Sequence, residues 1–115
     1  MLNTQNRLKK SQDFQKVFKK GSGCSLGSFR IKALDKKNAM PTRIGFIVSN
    51  KCDKRSAKRN SVKRLMRAET LGLISELKSG YDVVVSFQSK IEAPLPKEKI
   101  KNELRELYRK AVILK

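Results

Sequence analysis

The densest set of side chains that could bind a ligand lies between residues 58 and 67. This stretch reads Lys-Arg-Asn-Ser-Val-Lys-Arg-Leu-Met-Arg. At about 100° per helical residue, four of its cations and one amide fall within an arc of roughly 140°. They are Arg59, Asn60, Lys63, Arg64 and Arg67. Because guanidinium groups suit two-point contacts with phosphate, this face predicts binding to a nucleic-acid backbone.

A run of cations on a helix can also be an ordinary solvated face. Here no carboxylate stands three or four residues from the cations before Glu69 and Glu76, which lie beyond the cluster. Like charges one turn apart repel each other by roughly a few tenths of a kcal/mol per pair, so a face built only for solubility would more often contain acids. Arg55 and Lys58 extend the positive patch into the preceding loop.

The overall charge of the chain favours the same kind of partner. Lysine and arginine number 28 against 10 acidic residues, which gives a net charge of +18 over 115 residues. A polyanion offsets the self-repulsion of such a chain, and nucleic acid is the first candidate. Membrane binding calls for a basic helix with a broad Trp/Phe/Leu face, and it is disfavoured because the chain has no Trp and only seven aromatic residues. With no secretory h-region and no long apolar run, we expect a cytoplasmic protein.

Protein-borne catalysis finds little support in the composition. The chain contains no histidine, which removes the commonest general base and metal ligand. The acidic residues are scattered without a D-x-D grouping, whereas a self-sufficient metal nuclease needs two or three converging carboxylates. Cys24 and Cys52 lack C-x-x-C spacing. We therefore predict no catalytic residue and no metal site in the protein.

Three helices are predicted to position these residues. The first begins at Ser11 as N-cap and ends at Gly21, with Phe14, Val17 and Phe18 on one side. The second covers residues 56–77, although Gly72 argues against one unbroken helix. A last helix follows the prolines at 94 and 96.

Alternating apolar residues predict strands at 28–34 and 43–49, and a β-branched run predicts another at 81–87. We expect the second of these to pair with the first, and a short edge strand at 24–26. The class is α+β in the order α-β-β-β-α-β-α, with a mostly antiparallel sheet. By length, residues 1–115 form a single domain.

Several motifs together resemble the bacterial ribonuclease P protein family. They are the stretch Arg-Ile-Gly-Phe-Ile-Val-Ser-Asn-Lys at 43–51, the basic motif at 59–67, the opening segment 7–21, Asp-Val-Val-Val at 82–85 and the final helix. The match covers nearly the whole chain. It implies a compact sandwich whose central βαβ crossover has the rare left-handed sense, against the usual right-handed rule.

The resemblance also implies two binding surfaces. The basic helix contacts the catalytic RNA of the enzyme, which assigns Arg59, Asn60, Lys63, Arg64 and Arg67, beside Arg55 and Lys58 of the patch. A cleft between the first helix and the sheet holds the single-stranded 5′ leader of precursor tRNA, which assigns Phe14, Phe18, Lys32, Ser49 and Lys51. The resemblance implies that the RNA, with its bound Mg²⁺, cleaves the phosphodiester, while the protein binds the leader and screens the repulsion between phosphates.

Three positions depart from the usual family pattern. Ser61 stands where the second arginine of an Arg-Asn-Arg motif is common, so one phosphate contact is either missing or supplied by Lys58. Lys32 stands where an aromatic residue is common, which exchanges stacking for charge. Gln88-Ser89 stands where a basic pair is common.

Two alternatives stay open at this point. Phe14 and Phe18 have the i, i+4 spacing of core residues as well as that of a stacking surface, and a half-buried ring can serve both. A ribosomal-type structural RNA-binding protein would share the charge, size and class, but it does not account for the set of motifs.

Overall fold

The computed structural model describes residues 4–92 and 94–111, and the predicted domain 1–115 extends beyond them at both ends. The helices are α1 (Ser11–Lys20), α2 (Ser56–Leu73) and α3 (Lys97–Lys110), and the strands are β1 (Ser22–Leu26), β2 (Phe29–Asp35), β3 (Arg43–Val48) and β4 (Tyr81–Phe87). Short 3₁₀ turns cover Thr4–Asn6 and Ile74–Glu76. The α+β class and the order α-β-β-β-α-β-α are confirmed.

The strands form a four-stranded sheet, in the part of the chain described, with the order β1-β2-β4-β3. β1 pairs with β2 and β2 with β4 in antiparallel fashion, while β3 runs parallel to β4. α2 makes the crossover between β3 and β4, and the left-handed sense of that crossover stays a prediction.

The predicted pairing of β3 with β2 is wrong, because β4 lies between them. Val83 of β4 pairs with Ala33 on one side and with Ile44 on the other. Val83, Val84 and Val85 are all buried, so β4 is covered on both faces. A strand that is apolar on both faces belongs at the centre of a sheet, whereas alternation in β2 and β3 identifies their faces but not their neighbours.

The two faces of the sheet carry separate apolar clusters. On one face, Phe29, Ile31 and Val85 pack against α2 and α3 in the main core. On the other, Val84 packs with Leu8 and with Val17 of α1. Among the described helices, α1 is therefore the one on this side of the sheet, next to the segment that carries Leu8, and sheet surface beside it stays accessible.

The element ends differ slightly from the predicted ones. Lys10, not Ser11, is the residue before α1, and its carbonyl oxygen accepts the amides of Asp13 and Phe14. The predicted end of α1 at Gly21 is confirmed. β1 is longer than expected, and α2 ends at Leu73, just after Gly72, where the chain tightens into a 3₁₀ turn.

Gly45 of β3 is the place where α1 approaches the backbone of the sheet closely, through the ring of Phe14. It is buried beneath the ring of Phe14, and a Cβ atom at this position would collide with that ring. Absence of a side chain here lets α1 sit directly on the sheet. The height of α1 above β3 therefore depends on a glycine.

Candidate nucleic-acid interface

The two faces of α2 divide as the helical periodicity predicts. Val62, Met66 and Leu73 are buried in the main core, and Leu65 is half-buried against it. On the other side, Asn60, Arg64 and Arg67 are exposed and Arg59 and Lys63 are half-buried. The structure thus brings the predicted RNA-binding residues of α2 onto one side of the molecule.

Most of the cations on this side form no ion pair within the described part of the chain. Among the described residues, no ion pair within 4 Å involves Lys58, Lys63, Arg64 or Arg67. The nearest acid along the helix, Glu69, accepts a hydrogen bond from Arg105 of α3 at 2.8 Å. The Glu69 carboxylate therefore pairs with α3 and does not neutralise the cations of α2. An unneutralised set of cations on one face is suited to a polyanion.

Arg59 differs from its neighbours because it turns back onto the loop before the helix. Its Nη1 donates to the carbonyl oxygens of Asp53 at 2.9 Å and Lys54 at 2.8 Å. These bonds hold the loop against the first turn of α2. Arg59 therefore shapes the surface as well as adding charge to it.

Arg55 already has a carboxylate partner. Its Nε donates to Asp53 Oδ1 at 3.1 Å and its Nη2 to Asp53 Oδ2 at 3.0 Å. Hydrogen bonds from the side chain and backbone of Arg55 lower the pKa of Asp53 to about 2. A phosphate that binds Arg55 must compete with this carboxylate, which the sequence analysis did not identify as its partner.

The two rings of α1 have different surroundings. Phe14 is half-buried, lies against Gly45 and packs on the cluster of Leu8, Val17 and Val84. Phe18 is 43% exposed. Of the two roles left open for this pair, Phe14 fits core packing and Phe18 fits a surface that a base can stack on.

A cleft of about 130 Å³ lies between α1 and the sheet. It is lined by Phe18, Arg30, Lys32, Val84, Ser86 and Gln88. Arg30 and Lys32 share one face of β2, and the register places Ser86 opposite Arg30 and Val84 opposite Lys32. Lys32 was predicted from the sequence to lie in the cleft, but Arg30, Ser86 and Gln88 were not, because the pairing of β2 with β4 was not known.

Lys32 holds Phe18 in place at the edge of this cleft. Its Nζ donates to the carbonyl oxygen of Phe18 at 2.9 Å and lies 6.0 Å from the centre of the Phe18 ring. The ammonium group thus binds a carbonyl in the last turn of α1, where cations are favourable. Lys32, which stands where the family commonly has an aromatic residue, therefore supports the exposed ring of Phe18 at this cleft.

Ser49 and Lys51 lie outside the lining of this cleft. Both are exposed and follow the end of β3, and Val48 pairs with Phe87, which immediately precedes Gln88. They are therefore at the same end of the sheet as Gln88, beyond the cleft rather than inside it.

A second groove, of about 370 Å³, joins the two predicted surfaces. Arg67 of α2 lines it together with Phe14 of α1 and Phe46 of β3. Arg7 and Lys9 from the segment before α1 add further cations to its lining. The basic face of α2 and the underside of α1 are therefore contiguous rather than fully separate.

Within residues 4–92 and 94–111, no group of three or more Cys, Asp or Glu side chains is placed to hold a metal ion. No helix in the same ranges is long and apolar enough to cross a membrane.

Comparison with known proteins gives consistent matches. Residues 2–112 match the family described as Ribonuclease P. The chain is 37% identical over 114 residues to the ribonuclease P protein component of Pseudanabaena sp. (strain PCC 6903), with 99% of this chain and 97% of the relative covered. It is 39% identical over 108 residues to that of Bacillus pumilus (strain SAFR-032), with 94% and 89% covered. Among solved structures, the Staphylococcus aureus RNase P protein matches with a TM-score of 0.85 and 25% identity, covering 96% of this chain and 98% of that one.

Proposed function

Because the chain belongs to the bacterial ribonuclease P protein family, whose members are protein subunits of an RNA-based endoribonuclease, we propose that it binds the catalytic RNA and the 5′ leader of precursor tRNA. This binding promotes maturation of the 5′ end of tRNA. Residues 1–115 act as one RNA-binding domain. The observation that carries the proposal is the set of cations on α2 that have no ion pair within the described residues.

The catalytic RNA binds along α2. Lys58, Lys63, Arg64 and Arg67 contact its phosphates, and Asn60 adds a side chain that can both donate and accept a hydrogen bond. Arg59 and Arg55 order the loop before the helix, and Arg55 exchanges Asp53 for phosphate when the RNA arrives. Each phosphate neutralised releases counterions, so assembly weakens steeply as salt rises.

The leader binds at the other surface. One base stacks on the exposed ring of Phe18, and Arg30 and Lys32 face the adjacent phosphate. Phe14 supports α1 from below, while Ser49 and Lys51 meet the strand where it leaves the cleft. Stacking tolerates any base, as a leader of variable sequence requires.

The cleavage chemistry belongs to the RNA. The RNA, with Mg²⁺ bound mainly to it, would supply the chemistry of cleavage, and the protein contributes binding energy and position. The chain itself contains no histidine to act as a general base near neutral pH. Its cations screen the repulsion between two RNA molecules and thereby lower the magnesium concentration that the reaction needs.

Reconstitution tests this proposal. Precursor tRNA is incubated at low magnesium with the protein alone, with the catalytic RNA alone and with both. We expect leader removal only with both, and we expect ribonuclease treatment of the mixture before substrate is added to abolish it. Cleavage by RNA-free protein that resists this treatment would contradict the assignment of catalysis to RNA.

A further inference from the structure

A groove of about 550 Å³ lies between α2 and the start of α3, the two helices on the sheet face opposite α1. Its floor consists of the half-buried side chains of Leu65, Ile91 and Leu95, which pack against the main core. Its rim carries four cations and one acid, which are Lys58, Arg64, Lys97, Lys101 and Glu92. The groove therefore combines an apolar floor with a strongly cationic rim, away from the leader cleft.

Most of the rim cations have no ion-pair partner among the described residues. Lys101 reaches Glu98 at 3.9 Å, in a pair whose carboxylate is 85% exposed. In the ranges that the structure describes, Lys58, Arg64 and Lys97 form no ion pair. Convergent cations of this kind repel one another, and an anionic ligand removes that repulsion.

Ser61 keeps the groove open. It lines the groove, and its hydroxyl donates back to the carbonyl oxygen of Ala57 at 3.0 Å, so it reaches no further. A longer side chain at this position would occupy the space above the floor. Lys58, one turn earlier, supplies a charge at the rim in its place. The combination of a short residue and a neighbouring cation leaves room for a ligand beside the basic face of α2.

We propose that this α2–α3 groove holds one unpaired nucleotide of the catalytic RNA, with its base on the apolar floor and its flanking phosphates on the rim. Its volume falls within the roughly 300–1,000 Å³ that is usual for small-ligand sites, which suits a single extruded base rather than a duplex. Arg64 belongs both to the groove and to the basic face of α2, so one RNA can reach both. The proposal rests on the catalytic RNA being the partner proposed above.

Photo-crosslinking tests the location. The photoreactive amino acid p-benzoylphenylalanine replaces Ala68, which is exposed in the groove, and in a control it replaces Leu71, which is exposed on α2 outside it. After assembly with the catalytic RNA and precursor tRNA, we expect position 68, but not 71, to crosslink to one unpaired nucleotide of the catalytic RNA. A crosslink to a paired segment or to precursor tRNA, or none from an assembled complex, overturns the proposal. Failure of the wild-type protein to bind the RNA would instead overturn the proposed function.

A matched pair of lysines tests the rim. Lys97 and Lys99 are both exposed in the first turn of α3, but only Lys97 lines the groove. We expect Lys97→Ala to reduce the ratio of RNA affinities at 50 mM and 200 mM salt by about threefold, as loss of one phosphate contact does. Lys99→Ala should leave that ratio close to the wild-type value. Equal changes in the two variants would show that only net charge matters and would overturn the groove as a binding site.

Discussion

Arg43 of β3 donates two hydrogen bonds to Asp82 of β4, from Nε to Oδ1 at 2.9 Å and from Nη2 to Oδ2 at 2.7 Å. The two residues are partners in the parallel register, and the Asp82 side chain is nearly buried. Arg43 also reaches Asp13 of α1 at 3.4 Å, and Lys36 lies 3.1 Å from Asp82. This network fastens α1 to the sheet close to Gly45, and it thereby helps to set the position of the helix that carries Phe18.

The first prediction concerns the stability of this network. Arg43→Met should lower the free energy of unfolding by about 3 kcal/mol, because it leaves a nearly buried carboxylate with Lys36 as its only remaining ion-pair partner among the described residues. Urea denaturation measures the loss. Arg109→Met serves as the control, since its ion pair with Glu106 is exposed and should contribute less than about 1 kcal/mol. Similar losses in both variants would mean that burial of the Asp82 charge has no special effect.

The second prediction concerns the pH dependence of stability. Burial alone would raise the pKa of Asp82, but hydrogen bonds from Arg43 and Lys36 outweigh it and hold the pKa below its ordinary value of 3.8. A carboxyl group with a lowered pKa in the folded state stabilises the fold above its unfolded pKa, and this contribution is lost as pH falls through the folded value. Stability should therefore decline as pH drops below about 4.

Asp82→Asn isolates this contribution. The variant should be less stable than the wild type at pH 7, and the difference should shrink as pH falls below about 4, because the wild-type carboxyl group is then protonated. Urea titrations at a series of pH values measure both curves. If the stabilities of the two proteins fell in parallel down to acid pH, Asp82 would not control the loss of stability in acid.

The third prediction concerns assembly with the catalytic RNA. Arg64→Ala should weaken binding and reduce the slope of log affinity against log salt by about 0.7–0.9, the effect of one lost phosphate contact. Arg109→Ala removes the same charge from α3, where the guanidinium is paired with Glu106, and should leave the slope nearly unchanged. Leader preference should be the same in both variants. An identical slope for Arg64→Ala and the wild type would remove Arg64 from the RNA interface.

The helical parts of this fold could be predicted well because their period is read directly from the chain. Val62 and Met66 are buried and Arg64 and Arg67 are exposed, as their spacing in α2 requires. The neighbours of a strand are not encoded in the same local way. Alternation along β2 puts Arg30 and Lys32 on one face, but only the pairing of β2 with β4 shows that Ser86 lies beside Arg30 on that face.

The aromatic pair of α1 shows the same limit on a smaller scale. Phe14 and Phe18 share a helix face, yet their surroundings differ because the sheet beneath them is not uniform. Phe14 lies over Gly45, where no side chain keeps it away from the backbone, whereas Phe18 lies near Lys32 at the open cleft. Spacing within one element could not separate the two roles, since the difference comes from another part of the chain.

The last prediction separates these two rings by function. Phe14→Ala should destabilise the fold by about 2–3 kcal/mol, because the ring is half-buried in an apolar cluster. Phe18→Ala should change stability far less, because its ring is 43% exposed. Chemical denaturation measures both, and it establishes that the Phe18 variants are folded before binding is compared.

Leader binding is then measured with precursor tRNAs that carry leaders of increasing length, in complex with the catalytic RNA. Phe18→Ala should weaken binding by about 1–3 kcal/mol once the leader is long enough to place a base on the ring, and it should leave mature tRNA unaffected. Phe18→Tyr keeps an aromatic face and should bind like the wild type, whereas Phe18→Leu keeps only apolar area and should resemble Phe18→Ala. If Phe18→Leu bound long leaders as well as Phe18→Tyr, hydrophobic contact rather than stacking would hold the leader. Equal losses for long-leader substrate and mature tRNA would place Phe18 outside the leader site altogether.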